Sequence, residues 1–259
     1  MARTVTVDLA RPDPQALESA LAGADAVLSA VGPRSNADAG IAPPGTRAVT
    51  AAMKATGAWR IVAISASPVG TVPSPGRPNP PRHDPGDGFL MRQVSVRIAK
   101  TLFGKVYPDL ARMEDVLRDS GLDWTILRPP QLTDKPLTGT YRTAFGQNVR
   151  GGRSIPRADL AHYMLAIVDR PATIGNVIGI ATWLHERRAT RLQALDEKYL
   201  RSWSQIGPQI MRVAAIGEGS VAVRLAFDAR ASPQRSVLAG SASRPVIYLP
   251  GDQRENGRT

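Results

Sequence analysis

The sequence predicts an α/β fold in which a mostly parallel sheet is covered by helices on both faces. Short apolar segments alternate with helical segments of about a dozen residues, which is the pattern of βαβ units. The apolar segments 26–32 and 59–65 are hydrophobic nearly throughout, as is typical of strands buried on both faces of a parallel sheet. Glycine or proline follows most of the segments and marks where each one ends.

Local spacing predicts the elements of the first part of the chain. Valines alternate with threonines before Asp8, which is the period of a strand. Leu17 and Leu21 are four residues apart and share one helical face. The predicted order is a strand ending at Asp8, a helix ending at Gly23, the strand 26–32, a helix over 46–56 closed by Gly57, and the strand 59–65.

The middle of the chain contains a long loop and a strongly patterned helix. Residues 68–88 are rich in Pro and Gly, and we expect either a flexible lid or a disordered excursion. Leu110, Met113 and Leu117 form one apolar stripe in a predicted helix over 108–120. The other predicted elements are a helix over 89–102, a strand over 123–128, a helix over 158–168 and a strand over 176–180.

Composition limits the kind of protein. A chain of 259 residues that is 42% hydrophobic can bury one large core, or a core with a small appendage. No stretch approaches the roughly 18 continuous apolar residues of a membrane span, and no signal-peptide core is visible. Cysteine is absent, which excludes disulfides and thiolate metal sites. We expect a cytoplasmic protein with no membrane partner, and the sequence leaves its oligomeric state open.

The net charge of +11 raises the question of nucleic-acid binding. Of the 33 basic residues, 28 are arginines, and they are scattered with no run longer than Arg187-Arg188. Aromatic residues make up only 5% of the chain, so the stacking platforms of single-strand binders are not visible, nor is the basic face of duplex readers. We therefore predict no nucleic-acid partner and attribute the charge to a composition rich in Arg, Ala, Gly and Pro.

Four segments carry a resemblance to a known family: DLARPDPQALESALAGADAVLSAVG, WRIVAISAS, ARMEDVLRDSGLDWTILRPPQLTDKPLTGTYR and RADLAHYMLAIVD. The chain resembles the NAD(P)H-binding, NmrA-like branch of the atypical short-chain dehydrogenase/reductases, which includes the flavin reductase and biliverdin reductase B type. The most specific piece is SGLDWTILRPP. The resemblance implies a Rossmann-type doubly wound domain over residues 1–181, with residues 182–259 as an extension outside the family pattern.

The resemblance also implies that the domain is incomplete at its N-terminus. Members of the family begin with a strand, a turn of the G-x-x-G-x-x-G kind, a helix and a second strand, whereas the first element here resembles their third strand. The Gly-rich turn would hold the pyrophosphate of a dinucleotide. No such spacing occurs elsewhere, since Gly217-Glu218-Gly219 lacks a third glycine three residues on. We therefore expect the phosphate loop to be missing.

The resemblance assigns the adenosine end of the cofactor site by position. Asp8 and Leu9 resemble the acidic and aliphatic pair that contacts the adenine, although Asp8 equally suits a turn cap. Ala30, Val31 and Gly32 resemble the strand end where the backbone approaches the ribose. A tight turn would also favour Gly32.

The nicotinamide end is assigned in the same way. Ser65 ends a predicted strand and resembles the Ser/Thr-rich stretch beside the nicotinamide, at the edge where ligands bind in such sheets. Arg128, Pro129 and Pro130 would flank the nicotinamide carboxamide, although the two prolines also suit the end of a strand. The implied cofactor is NADP or NAD, with NADPH favoured by the resemblance alone.

Ser65 and Tyr107 are the catalytic candidates. Many short-chain dehydrogenases use a Tyr with a Lys four residues on, which lowers the pKa of the phenol. Here Ala111 lies four residues after Tyr107, with Arg112 beside it, and Arg does not match Lys in reach or geometry. Tyr107 therefore also suits a packing role. Flavin-reductase-like relatives work without this pair and rely on placing hydride donor and acceptor face to face. No metal site is predicted, because the three histidines lack ligand spacing.

Three functions remain open at this point. The first is an NAD(P)H-dependent oxidoreductase that transfers hydride to a small conjugated acceptor, flavin-like or quinone-like, bound against the 68–88 loop and the segment 134–150. The second is a non-catalytic NmrA-like protein that senses the dinucleotide or binds a partner. The third is an inactive, truncated family member.

Residues 182–259 contain three further predicted elements. An Arg-rich amphipathic helix is predicted over 184–203, and alternation predicts a strand over 221–227. A further strand is predicted over 245–249. The segment suits a small extension, a partner-binding appendage or the product of a shifted reading frame, and the sequence leaves these three open.

Overall fold

The computed structural model describes residues 3–9, 11–33, 35–87, 104–182, 212–217 and 221–226. The strands are β1 (Arg3–Thr6), β2 (Ala26–Ser29), β3 (Arg60–Ile64), β4 (Asp123–Arg128), β5 (Gln131–Thr133), β6 (Tyr141–Phe145), β7 (Ser154–Pro156), β8 (Asn176–Thr182), β9 (Arg212–Gly217) and β10 (Val221–Ala226). The helices are α1 (Pro14–Leu21), α2 (Ala42–Thr56), α3 (Val106–Arg118) and α4 (Arg157–Ala166). Short 3₁₀ turns lie at Ser67–Thr71 and Pro171–Thr173.

Eight of these strands form one mostly parallel sheet in the order β1-β10-β9-β2-β3-β4-β8-β6. The five central strands from β9 to β8 are parallel to one another. Strand β10 is antiparallel to both of its neighbours, and β6 is antiparallel to β8 at the edge. Strands β5 and β7 form a separate parallel pair. The predicted mostly parallel sheet is confirmed.

Helices cover both faces of the sheet. Successive residues of a buried strand point to opposite faces, so Val27 of β2 belongs to one core cluster and Leu28 to the other. The first cluster is completed by residues of α1, α2 and α3, among them Leu21, Met53 and Leu117, and the second by residues of α4 such as Leu160. The doubly wound arrangement is therefore confirmed. Among the described helices, none combines the length and apolarity needed to cross a membrane.

Helix α2 begins four residues earlier than predicted. Its first turn contains Pro43 and Pro44, which are tolerated there because the first backbone N–H groups of a helix have no partner within it. The backbone N–H of Ala42 instead donates to Oδ2 of the buried Asp109 in α3, at 3.1 Å. This cap comes from a distant part of the chain, so local spacing does not show it. The predicted stop at Gly57 is confirmed, with φ of 78°.

The described part of the 68–88 loop is packed against α3, so the expected disordered excursion is wrong for residues 68–87. Ser74 donates its hydroxyl to Oδ1 of Asp115, and the backbone N–H of Gly76 donates to Oδ2, both at 3.0 Å. Arg77 donates to the carbonyl oxygen of Val69 at 2.6 Å. A single buried carboxylate on α3 therefore holds the middle of this loop. The proline and glycine content predicted that this segment lacks helices and strands. It did not predict the hydrogen bonds that hold the loop against α3.

Two strands from the C-terminal segment lie inside the sheet, between β1 and β2. In the doubly wound order 3-2-1-4-5-6, two strands separate the third from the fourth, and β10 and β9 hold these two positions here. Strand β9 is parallel to β2, with Val27 opposite Ala214 and Leu28 opposite Ala215. The strand predicted over 221–227 is confirmed as Val221–Ala226. The elements predicted over 89–102, 184–203 and 245–249 lie outside the described residues.

Candidate functional site

A cleft lies at the carboxyl ends of β4 and β8. It is lined by Ser67 and Asp87 from the loop after β3, by Arg128 and Pro130 after β4, and by the segment 148–152. The space inside it that a water-sized sphere can reach is about 20 Å³, which is close to what a single buried water needs. In open parallel sheets, ligands bind outside this edge. The cleft therefore has the position of a ligand site, and it is open to solvent at its mouth.

Close backbone contacts form one wall of the cleft. A Cβ atom on Gly86 would lie 1.8 Å from the carbonyl oxygen of Asn148, and a Cβ on Gly179 of β8 would lie 2.4 Å from that of Gln147. Real Cβ atoms do not approach backbone so closely, so only glycine fits at either position. The two glycines therefore let the 147–148 backbone lie directly against both the loop after β3 and β8.

Hydrogen bonds fix Asn148 in this wall. The buried Asp84 accepts through Oδ1 from the backbone N–H groups of Gly86, at 2.9 Å, and Asn148, at 2.8 Å. The Asn148 amide nitrogen donates to the carbonyl oxygen of Ser67 and to Oδ1 of Asp87. Within the described part of the chain, Oδ1 of Asn148 is buried and has no donor. Since buried polar atoms are nearly always paired in native proteins, this acceptor is an exception beside the cleft.

A buried carboxylate joins α3 to the ends of β3 and β4. Glu114 is fully buried and accepts two hydrogen bonds from Arg128, from Nε at 2.9 Å and from Nη2 at 2.6 Å. The Ser65 hydroxyl donates to Oε1 of the same carboxylate at 2.7 Å, and Arg118 donates to Oε2 at 2.7 Å. Arg128 is itself only 5% exposed. One anion therefore holds Ser65 and Arg128 together where two neighbouring strands end.

The carboxyl group of Glu114 is held in its charged form. Burial by itself raises its pKa, but the hydrogen bond and charge of Arg128, the hydrogen bond of Ser65 and the charge of Arg118 outweigh burial. The pKa of Glu114 therefore lies below its ordinary value. At neutral pH the carboxylate accepts a hydrogen bond from the Ser65 hydroxyl and does not act as a proton donor.

The burial and the raised pKa of Tyr107 favour a packing role over proton transfer. It is the second residue of α3, is partly buried and packs against the core cluster on that face of the sheet. Burial raises the pKa of its phenol above the ordinary value. This is the opposite of the lowered pKa that proton transfer by the Tyr and Lys pair requires.

A model of the NAD(P)H-binding family matches residues 1–171. The chain belongs to this family. The match spans all elements from β1 to α4 and includes most of the cleft lining, while Ile180 and Ala181 of β8 lie beyond it. In open parallel sheets a dinucleotide binds across this carboxyl edge.

Several solved structures are similar to this member of the NAD(P)H-binding family. The oxidoreductase ylbE from Lactococcus lactis is 19% identical, with 71% of this chain and 73% of that chain covered and a TM-score of 0.50. ChuY, an anaerobilin reductase from Escherichia coli O157:H7, is 21% identical, with 67% and 73% covered and a TM-score of 0.49. A short-chain dehydrogenase/reductase from Veillonella parvula in complex with NADP is 17% identical, with 65% and 68% covered and a TM-score of 0.48.

The structure brings the residues assigned to the nicotinamide end together. The backbone N–H of Ser65 donates to the carbonyl oxygen of Leu127 at 2.7 Å, and that of Ser67 donates to Pro129 at 2.9 Å. Arg128 and Pro130 line the cleft. The ends of β3 and β4 therefore form one continuous edge in this member of the NAD(P)H-binding family, and the cofactor contacts assigned there stay predictions.

The residues assigned to the adenosine end form a second group, where β1 and β2 end. Leu9 and Val31 are buried at 4% and 3% exposure, and a Cβ on Gly45 of α2 would lie 3.5 Å from each of them. Asp8 is exposed, whereas Ala30 and Gly32 are half-buried. Leu9 thus packs inside the core, while Asp8 faces solvent. The predicted contacts with adenine and ribose stay predictions.

Polar atoms at the ends of β3 and β4 and on Asn148 are complementary to the nicotinamide carboxamide. A carboxamide presents N–H donors beside a carbonyl acceptor. Ser65 and Asn148 offer oxygen acceptors, and Nη1 of Arg128 is not used by Glu114. The described residues include no group of three side chains suited to hold a metal ion.

Sequence reasoning missed Glu114, Asp84 and Asn148. Glu114 did leave a signal, because it lies four residues after Leu110 and three before Leu117, on the apolar stripe of its helix. A charged residue in such a stripe indicates a buried ion pair, since charges are rarely buried without a partner. Asp84 and Asn148 lie in irregular segments, where no periodicity exists to mark them.

Proposed function

We propose that this chain is an NAD(P)H-dependent reductase that transfers hydride from the nicotinamide to a small conjugated acceptor, flavin-like or quinone-like. The observation that carries the proposal is the cleft at the carboxyl ends of β4 and β8, beside the group of Ser65, Arg128 and Glu114. The loop after β3 and the segment 148–152 border the same cleft. The sequence led us to expect the acceptor against the 68–88 loop and the segment 134–150, and the cleft lining shares Asn148 and Val149 with that segment.

Placement of the two reactants is the main catalytic contribution of this site. When bound, the cofactor supplies a hydride and leaves as NAD(P)⁺, while the acceptor gains that hydride and takes a proton from solvent. Ser65 and Arg128 orient the carboxamide and so fix the face of the ring toward the cleft. The backbone walls at Gly86 and Asn148 limit the space in which the acceptor ring lies. Holding two reactants in this way accelerates a reaction without an acid or base.

A titration of the purified chain with NADPH and NADH tests the proposal first. We expect calorimetric dissociation constants on the order of micromolar, about −8 kcal/mol. Oxidation of bound NADPH by lumiflavin and by menadione is then followed by the loss of dihydronicotinamide absorbance. Binding no tighter than about 1 mM would contradict the proposal, as would tight binding with no turnover of either acceptor.

Two matched substitutions locate the reaction. Ser67→Phe adds an aromatic ring at the cleft and should lower turnover at least tenfold. Ala172→Phe adds the same ring at an exposed residue next to the start of β8, at the opposite edge of the sheet, and should leave turnover unchanged. Equal turnover rates in the two variants would mean that hydride transfer does not take place in the cleft.

A further inference from the structure

We infer that the acceptor is an anion, and that Arg150 and Arg153 at the rim of the cleft bind its charged group. This inference rests on the proposed function, because it names the class of acceptor that the same cleft receives. Each of the two arginines directly follows a residue of the cleft lining, Val149 and Gly152 respectively. An uncharged acceptor with the same ring lacks a group for these arginines to bind.

The surplus positive charge of the described chain lies in one stretch, residues 135–157. This stretch contains five basic residues and no acidic residue, whereas the rest of the described chain has 14 basic and 15 acidic residues. A composition rich in arginine accounts for the number of positive charges, but not for this separation. The same stretch supplies Asn148, Val149, Gly151 and Gly152 to the cleft lining. The surplus charge therefore borders the cleft.

The backbone on either side of Arg153 is fixed against the end of β8. A Cβ on Gly152 would lie only 2.4 Å from the Cβ of Ala181. The Thr182 hydroxyl donates to the carbonyl oxygen of Ser154 at 2.7 Å. Arg153 lies between these two contacts, at the carboxyl edge where ligands bind in such sheets.

Arg150 is held at the same edge by a third arginine. Nη1 of Arg142 in the edge strand β6 donates to the carbonyl oxygen of Arg150 at 2.9 Å. Arg142 lies opposite Ala181 of β8 in the sheet. Three guanidiniums therefore belong to a short part of the chain packed on the end of β8, and an arginine side chain is always charged at neutral pH.

The side chains of Arg150 and Arg153 are available to a ligand. Both residues are exposed. In the part of the chain that the structure describes, neither side chain donates a hydrogen bond or forms an ion pair. Arg157 in the same stretch differs, because it is paired with Asp134. Guanidinium groups bind carboxylates and phosphates with two parallel hydrogen bonds, so an acceptor with either group fits this rim.

The interior of the cleft does not suit the charged group itself. Its lining includes the carboxylate of Asp87, which repels a second negative charge. The guanidinium of Arg128 is already paired with Glu114. The charged group of the acceptor therefore lies outside, on the side of the rim formed by residues 150–153.

The phosphates of the dinucleotide are the other anions in this reaction. The residues assigned to the adenosine end stand at β1 and β2, and β2 is three strands away from β8. Since neighbouring strands are about 4.8 Å apart, this end lies about 14 Å or more from the rim. We therefore assign Arg150 and Arg153 to the acceptor and not to the dinucleotide.

FMN and riboflavin test the inference, because they share one isoalloxazine ring and differ by a phosphate. Each ring takes a hydride from NADPH and a proton from water, so the chemistry is the same. With wild-type protein at low ionic strength, kcat/KM for FMN should exceed that for riboflavin about tenfold, as attraction to a charged rim implies. The ratio should fall toward one as NaCl is raised to about 1 M, because salt screens exposed charges.

The double substitution Arg150→Gln with Arg153→Gln should bring the ratio to within about twofold, through a higher KM for FMN and not a lower kcat. The Kd of NADPH should not change. Lys54→Gln is the control, because it removes one exposed positive charge from the last turn of α2. That helix leads into the start of β3, at the opposite edge of the sheet, so this variant should keep the wild-type ratio.

Three results would overturn the inference and leave the reductase proposal standing. The first is equal kcat/KM for the two flavins in wild-type protein. The second is a preference for FMN that survives in the folded double variant. The third is weaker NADPH binding in the double variant with an unchanged flavin ratio, which would mean that the rim binds the dinucleotide phosphates. Reduction of neither flavin by a protein that binds NADPH would overturn both proposals.

Discussion

A charged residue on an apolar helix face links folding to the site in this protein. Glu114 lies among the buried residues of α3, yet it is anionic because two guanidiniums surround it. Removing one partner of a buried ion pair costs about 3–5 kcal/mol, because the remaining charge stays buried. The same contacts that stabilise α3 against the sheet therefore orient Ser65 and Arg128.

The stability contributed by Glu114 should depend on pH. Its pKa is lowered in the folded state, so its contribution is fully present above its ordinary value of 4.5 and is lost as pH falls through the folded-state pKa. Glu114→Gln should therefore lower the free energy of unfolding by about 3 kcal/mol at pH 7, with a smaller deficit at acid pH. Urea unfolding from pH 7 to about pH 3 measures the difference.

Asp119→Asn is the matched control for this series. It removes an exposed carboxyl at the end of the same helix, and its free energy of unfolding should stay close to the wild-type value throughout. A deficit in Glu114→Gln that does not change with pH would contradict the ion-pair explanation.

At the scale of elements, two glycines show how differently one residue type acts. Gly86 lies against the backbone of Asn148, where a Cβ would come within 1.8 Å. Gly45 lies inside α2, where a Cβ would make ordinary contacts at 3.5 Å. The first glycine permits two segments to touch and so forms the cleft wall, whereas the second only weakens a helix.

These two positions should respond to alanine in opposite directions. Gly86→Ala should lower the free energy of unfolding by about 1–3 kcal/mol, as overpacking does, and should weaken NADPH binding because the wall moves. Gly45→Ala should be neutral or stabilise by up to about 1 kcal/mol, since alanine favours helix. Thermal unfolding followed by circular dichroism measures both. A Gly86→Ala protein as stable as wild type would show that the two segments do not meet.

At the scale of the whole molecule, the sheet depends on residues far apart in the chain. Strand β9 lies between β10 and β2, with ladder contacts on both sides. Five parallel strands in register place the carboxyl ends of β2, β3, β4 and β8 along one edge. The C-terminal segment therefore contributes to the sheet on which both groups of predicted cofactor residues stand.

A proline in β9 tests this arrangement. Ala215 lies opposite Leu28 on one side and Val223 on the other, so Ala215→Pro should remove a ladder hydrogen bond and destabilise the fold by about 3 kcal/mol or more. Ala215→Gly keeps the N–H and should cost about 1 kcal/mol or less. Urea unfolding compares the two. Wild-type stability in the proline variant would show that β9 is not part of the sheet.

Local patterns in the sequence determined the kind of fold. Strand β4 lies at 123–128, as the apolar run before two prolines predicts, and the stripe of Leu110, Met113 and Leu117 is buried as the face of a helix. Both follow from periodicity within a few residues, where backbone geometry alone decides which side chains share a face. The residues assigned to the nicotinamide end also came from the sequence, by resemblance.

Only the tertiary structure decided how the site is built. Glu114 and Ser65 are 49 residues apart in the chain, and Asp84 and Asn148 are 64 apart. The early start of α2 and the place of β9 beside β2 depend on contacts just as distant. A periodic pattern records which face of an element is apolar, but it carries no information on which distant polar group will lie opposite. Burial in a shared core selects those partners, because a buried charge or N–H must be paired when the elements come together.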